Sequence, residues 1–260
     1  MGQKKVRRQR FFATHPVCCF CGGGETATTL DHWPGRSFFI DRHNPDQFVF
    51  PACHACNSAS QEAEHVLRVI AVPDDGDDDD DRDRWRATVR RVRRDYPGLI
   101  DSMLMDRRAK RSAMTRLGMA RPDGLTFGDV PIVALDPKRW QTHIDLFGRK
   151  LLLALHYQCF GRPLPITGGL SFAFQTNTTI GSGSMLEKFA ELTDQLVVPV
   201  HQNRQLGKQF SIRWSSREDP AIAIWAVHLH QRFFYLGITS EDARWSKLEG
   251  RPHFGPLVHK

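Results

Sequence analysis

Residues 18–24 read Cys18-Cys19-Phe20-Cys21-Gly22-Gly23-Gly24, and residues 51–57 read Pro51-Ala52-Cys53-His54-Ala55-Cys56-Asn57. Each stretch contains a Cys-x-x-Cys unit, the spacing at which two thiolates of one turn bind the same ion. Two such units supply four sulfurs, which is the closed tetrahedral shell that zinc prefers, with bonds of about 2.3 Å. The glycines after Cys21 permit the tight backbone turn of such a knuckle. Cys19 stands outside this scheme, because a Cys19–Cys21 pair has the wrong spacing, and Cys159 is alone. In a reducing compartment, close pairs of this kind favour metal over disulfides. A closed shell of Cys18, Cys21, Cys53 and Cys56 leaves no position for a substrate. The expected zinc is therefore structural and replaces the core that so short a segment cannot build. Chemistry must come from other residues.

Outward from the cysteines, the 260-residue chain divides by composition. Residues 1–72 hold all the paired cysteines. Residues 73–83 form an acidic run, Asp74-Asp75-Gly76 and then Asp77 to Asp81, which repels itself and reads as a solvated linker or as a phosphate mimic shielding a basic surface. Residues 84–123 are basic. There Trp85, Val89, Val92 and Tyr96 are spaced four, three and four apart, one stripe of a helix, and arginines take most of the remaining circumference. Such a helix either tracks phosphates or presents a charged face to water.

Residues 124–260 read as a mixed helix and antiparallel-sheet region. Asp136 and Pro137 are an N-cap and first helical residue, Trp140, Ile144, Phe147, Leu151 and Leu155 mark one face, and Gly161 is the stop. Ser184 and Glu187 form a capping box before a second stripe, Met185, Phe189, Leu192 and Leu196. Strands are expected around Leu170-Phe174 and Phe210-Trp214, and over Ala221 to Leu229 and Phe233 to Ile238. The fold class expected is α+β, a small zinc-bound module followed by this larger region.

Between the knuckles lies Leu30-Asp31-His32-Trp33-Pro34, and directly after the second lies Asn57. Over residues 15 to 70 the sequence resembles the HNH endonuclease family in its cysteine-framed form. In that form the first strand of a hairpin ends in Asp-His, a second strand follows, and a helix carries the last motif residue. Asp31-His32 with Pro34 matches the opening, Phe48-Val49-Phe50 the second strand, and Cys53-x-x-Cys56-Asn57 the closing knuckle and helix start. The resemblance implies a beta-beta-alpha-metal fold and hydrolysis of phosphodiester bonds in DNA, with DNA favoured over RNA. It implies His32 as general base, Asp31 and Asn57 as ligands of a catalytic divalent cation such as Mg2+, and products with 5′-phosphate and 3′-hydroxyl ends. Asn57 stands where many members have histidine, and Asn44 is the nearest match to the middle asparagine that orients the base.

The residue chemistry agrees with those roles. An imidazole with an ordinary pKa near 6.5 is a neutral base at physiological pH, and carboxylate and amide oxygens suit Mg2+. Adjacent strand residues point to opposite sides, so Asp31 and His32 can share a site only at a strand end or distorted turn. The plain alternatives are an N-capping Asn57 and a surface Asp31–His32 pair.

His43 is a lesser candidate for metal or phosphate contact, and His54 for a zinc ligand. Glu62 and Glu64 follow Asn57 on the expected helix, where Glu64 reads as a solvent residue and not a ligand, and His228 with His230 read as a same-face pair lacking a third ligand. Gly181-Ser182-Gly183-Ser184 lacks the lysine of a phosphate-binding loop. The formal charge of +7 and pI near 9.3 suit a polyanionic partner. The basic N-terminus lacks the apolar stretch of a secretory signal and no run is long enough to span a bilayer, so a cytoplasmic protein without membrane contact is expected. Two rivals share parts of this reading: a non-catalytic zinc-ribbon nucleic-acid-binding protein, and a regulatory protein whose main work lies beyond residue 72.

Overall fold

The computed structural model describes residues 3–71, 79–116, 118–129, 134–176, 191, 193–207, 209–230 and 232–257. Helix α1 (Gln3–Thr14) leads into the first cysteine turn, after which β1 (Thr29–His32) and β2 (Val49–Ala52) pair antiparallel. Asp31 lies opposite Phe50 and His32 opposite Val49, so the first strand ends at the histidine. The second cysteine turn passes directly into α2 (His54–Ala59), which Cys53 caps by accepting the Cys56 N–H on its sulfur. Helix α3 (Gln61–Ala71) follows, with Ala63, Val66 and Leu67 on its buried face.

Helix α4 (Asp79–Asp95) begins inside the acidic run. Residues 79–83 are thus helical rather than linker, because acidic residues are favoured near the positive end of a helix dipole; residues 72–78 lie outside the described residues. The stripe predicted for this helix faces α3: Val92 is buried, and the Trp85 indole donates to the Val69 carbonyl at 3.1 Å. Helix α5 (Arg107–Arg116) continues the basic segment.

Helix α6 (Pro137–Phe160) starts and stops where its sequence signals stand. Asp136 accepts the Lys138 N–H at 3.1 Å, and Gly161 takes φ +67°, a left-handed conformation that glycine adopts without penalty. Trp140, Ile144 and Phe147 mark one buried face in its first half, where Lys138, Arg139, Gln141 and Thr142 are exposed, whereas Leu151 to Leu155 are all buried and the second half is enclosed around its circumference.

The sheet comprises β3 (Gly169–Thr176), β4 (Gln195–Val197), β7 (Phe210–Glu218), β8 (Ala221–Leu229), β9 (Phe233–Ser240) and β10 (His253–Phe254), in the spatial order β10-β3-β9-β8-β7-β4. All neighbours are antiparallel. A separate hairpin pairs β5 (Val200–His201) with β6 (Arg204–Gln205). In β8 the buried residues alternate strictly, Ala221, Ala223, Trp225, Val227 and Leu229, as expected of a strand with one core-facing side. Leu196 belongs to β4, not to the end of a helix. A three-residue strand paired with Arg213 overrides the helical spacing read there. The Ser184–Glu187 capping box lies outside the described residues.

Helix α6 sits between the N-terminal hairpin and the sheet. Phe147 touches both sides, with ring centroids 4.9 Å from Trp33, 5.0 Å from Phe38 and 5.8 Å from Tyr235. One position later Gly148 lets the helix backbone approach the sheet, since a side chain there would collide with the Tyr235 and Phe172 rings. Most of the buried apolar residues form one cluster running from Cys18 through α6 and the sheet to Leu257. The architecture is mixed α and β, with a cysteine cluster near the N-terminus. Among the described residues, no helix is long and apolar enough to cross a membrane.

Candidate metal centre and adjoining cleft

The sulfurs of Cys18, Cys21, Cys53 and Cys56 all lie within 4.8 Å of one another, and all four residues are buried. A tetrahedron with metal–sulfur bonds of about 2.3 Å has edges of roughly 3.8 Å, so the four sulfurs are placed to hold one metal ion. Each turn is shaped for the task. The Phe20 N–H donates to the Cys18 sulfur and the Cys56 N–H to the Cys53 sulfur, both at 3.4 Å. Gly22 and Gly23 take φ of +72° and +77°, which a side chain would resist.

The protons answer to the same crowding. A hydrogen bond from Cys56 draws the Cys18 thiol down to about 5 against the opposing effect of burial. Burial, and then the charge on Cys18, push the Cys21 thiol up to about 12. Cys56 is raised by its hydrogen bond to Cys18. One thiolate is stabilised at the expense of its neighbours, so four thiolates require a cation among them. Cys19 takes no part: its N–H donates to the Pro51 carbonyl at 2.9 Å, and its thiol is raised well above the usual range by burial.

Beside this cluster opens a cleft of about 290 Å3 lined by Asp31, His32, Arg36, Arg42, Asn57 and Glu64, among others. His32 is the last residue of β1, so the chain turns away there and the ring reaches the cleft. Its Nε2 lies 2.9 Å from the Arg36 guanidinium, which can only donate, so Nε2 holds the lone pair. A neutral ring then carries its proton on Nδ1, which is 3.1 Å from the side-chain amide of buried Asn44. With its oxygen turned to Nδ1 that amide accepts the Nδ1 proton, and it then gives up the 3.2 Å bond that its NH2 donates to the Pro45 carbonyl. Burial, and then the charge of Arg36, lower the His32 pKa, so the ring is neutral near pH 7. Asn57, in α2 one residue past the last cysteine, faces the same cleft from the helix side.

Asp31 reaches the cleft from the interior. Its Oδ2 is 2.6 Å from the Lys150 Nζ, an ion pair between two buried side chains. The ammonium also donates to the Ser60 hydroxyl at 2.6 Å and lies over the Trp33 and Phe20 rings at 4.3 and 4.8 Å. Burial raises the Asp31 pKa and the Lys150 charge opposes that rise. Glu64 is half-buried against Gly35 at this edge, not a solvent residue, because α3 turns that position inward. Burial pushes its carboxyl up to about 8, with Lys150 and the Gly35 N–H opposing and Asp31 reinforcing the rise. Glu62, two positions earlier, is exposed.

The loop between β1 and β2 is held by the C-terminal part of the chain. The His201 Nδ1 sits 2.8 Å from the Asn44 carbonyl and 3.1 Å from Asp46, and its ring stacks on His43 at 4.6 Å. The Gln209 amide oxygen accepts the Ile40 N–H at 2.8 Å, and His230 Nε2 meets the Phe38 carbonyl. His230 is thereby engaged with the loop, while His228 stacks on Phe234 in its own sheet. His54 is exposed, and the cysteines form the one such ligand cluster among the described residues.

The structure thus brings Asp31, His32, Asn44 and Asn57 to one place, next to the four cysteines. Sequence reasoning missed Lys150, Arg36 and Glu64. For Lys150 a signal existed: it follows Phe147 by three and precedes Ala154 by four, so a charge stood on an apolar helix face. The cleft unites a neutral imidazole with a carboxylate, an amide and two guanidinium groups, which suits an anion beside a water whose proton the imidazole takes. Comparison with protein-family models, with curated proteins and with solved structures found no match for this chain.

Proposed function

We propose that the chain is a metal-dependent endonuclease of the HNH type that hydrolyses phosphodiester bonds in DNA. The observation carrying this reading is that His32, with Asn44 on its Nδ1, shares one cleft with Asp31 and Asn57 beside a four-thiolate cluster. The Nε2 lone pair takes the proton of the attacking water, and Asn44 holds the ring and its Nδ1 proton in register. Arg36 and Arg42 neutralise charge growing on the phosphoryl oxygens. For Nε2 to serve, Arg36 exchanges its contact with His32 for one with the phosphate, where a guanidinium makes a stronger, charge-assisted bond.

Asp31 and Asn57 offer hard oxygen donors on the same cleft, a set that fits Mg2+ or another divalent cation. When bound, that cation supplies stabilisation of the phosphoryl and leaving oxygens. The ion on Cys18, Cys21, Cys53 and Cys56 is structural zinc, since four thiolates leave no open position. The net charge of +7 and the arginine-rich α4 suit a DNA backbone. A non-catalytic nucleic-acid-binding protein is the second reading, favoured by one observation, the Lys150 ion pair that already engages Asp31.

Plasmid incubated with the zinc-loaded protein and Mg2+ separates the two. The nuclease nicks or linearises it, leaving 5′-phosphate and 3′-hydroxyl ends, and His32→Ala lowers the rate by roughly 100- to 10,000-fold. An inert wild type favours the binding protein. Cleavage that His32→Ala leaves unchanged removes the histidine from the role of base.

A further inference from the structure

A fully buried lysine on an apolar helix is costly, and a buried ion pair seldom repays that cost in stability compared with packed apolar side chains. Lys150 is such a residue. It lies in α6, more than 90 positions after the motif it touches, with apolar neighbours Leu151 to Leu155 following in the helix and its ammonium set by four groups. Asp31 Oδ2 and Ser60 Oγ each lie 2.6 Å away, and the Trp33 and Phe20 ring faces close the remaining sides. An ammonium has three N–H donors, and two of them are directed by the oxygens while the ring faces take up the rest of its charge. The carboxylate it grips has Oδ2 turned to the lysine, so Oδ1 is the oxygen that the ammonium does not engage, and Asp31 lines the cleft.

We infer that Lys150 is a positioning residue for Asp31: its caged ammonium holds Oδ2 so that Oδ1 is presented, singly and in a fixed direction, to a divalent cation in the cleft. The inference rests on the reading of Asp31 as a cation ligand. It makes α6 part of the site, although the helix lies outside the hairpin and helix that carry the motif. Outer groups that fix a ligand's orientation typically change metal affinity by 10- to 100-fold when removed.

The test uses the zinc-loaded full chain and Mn2+ alone as probe, with binding followed by water-proton relaxation, and Mg2+-dependent plasmid cleavage measured in parallel. Asp31→Asn should abolish the Mn2+ site, and Lys150→Met should weaken it at least about tenfold. Ser60→Ala, which keeps the ion pair and loosens only the cage, should weaken it by about threefold. This variant decides the matter if Lys150→Met does not fold. Wild-type affinity in both variants, tighter binding in Lys150→Met, or a Mn2+ site indifferent to Asp31→Asn would overturn the inference. No Mn2+ binding by the wild type would do the same. A wild type that binds Mn2+ in a Lys150-dependent way and yet cuts no DNA defeats the nuclease reading and leaves the positioning role standing.

Discussion

Lys150 and Asp31 depend on each other at the level of single charges. Both are buried, with Lys150 fully excluded from water, so neither charge is tolerable alone. Removing one partner of such a pair typically costs about 3–5 kcal/mol, whereas removing both can be close to neutral. Lys150→Met should accordingly lower stability by several kcal/mol in urea unfolding, and the double variant Asp31→Asn with Lys150→Met should recover most of that loss. Equal instability of the single and double variants would mean that the lysine matters through its packing, not its charge. His32 differs, because it is half-buried and one of its partners, Arg36, is exposed, while the other, Asn44, is buried. The Asp31-His32 step and the choice of Asn44 are legible in sequence because the chemistry of each is local to a strand end or loop. Glu64 was not legible: two glutamates two apart on one helix look alike until α3 is docked and Gly35 covers one of them.

At the scale of elements, the two cysteine turns, the hairpin and α2 form one device. The sulfur of Cys53 receives the Cys56 N–H at the start of α2, and the same helix carries Asn57 to the cleft, so the cysteine cluster sets where the helix begins. Loss of the metal should therefore displace Asn57 as well as loosen the turns. Cys53→Ser is expected to drop bound metal from about one ion per chain to none and to lower the melting temperature by roughly 10 °C. Elemental analysis and thermal melting check both, and full metal occupancy with unchanged melting would contradict the cluster's structural role. The turns were readable because the Cys-x-x-Cys spacing specifies the ligands of both, and the glycines after Cys21 the backbone of the first. Leu196 misled because a short edge strand places little constraint on its own sequence; pairing with β7 decides its state.

Across the whole molecule, the motif segment shares its core with the rest of the chain. Its hairpin loop is fastened by His201, Gln209 and His230, its core is completed by Phe147, and Leu257 donates its N–H to the Phe20 carbonyl at 2.7 Å beside the first cysteine turn. Composition divides the chain near residues 72 and 124, but composition reports local solvent preference and says nothing of the long-range packing that joins the segments in one core. Residues 1–72 expressed alone, with zinc, should lack cooperative unfolding and should not cut DNA; a folded, active fragment would show that α6 and the sheet are dispensable. The most direct measurement is the single-turnover cleavage rate of a labelled DNA duplex by the zinc-loaded full chain with Mg2+, wild type against His32→Ala at matched thermal stability. An imidazole acting as base in this cleft predicts cleavage by the wild type and a fall of at least about 100-fold in the variant. Equal rates, or no cleavage by either protein, would contradict it.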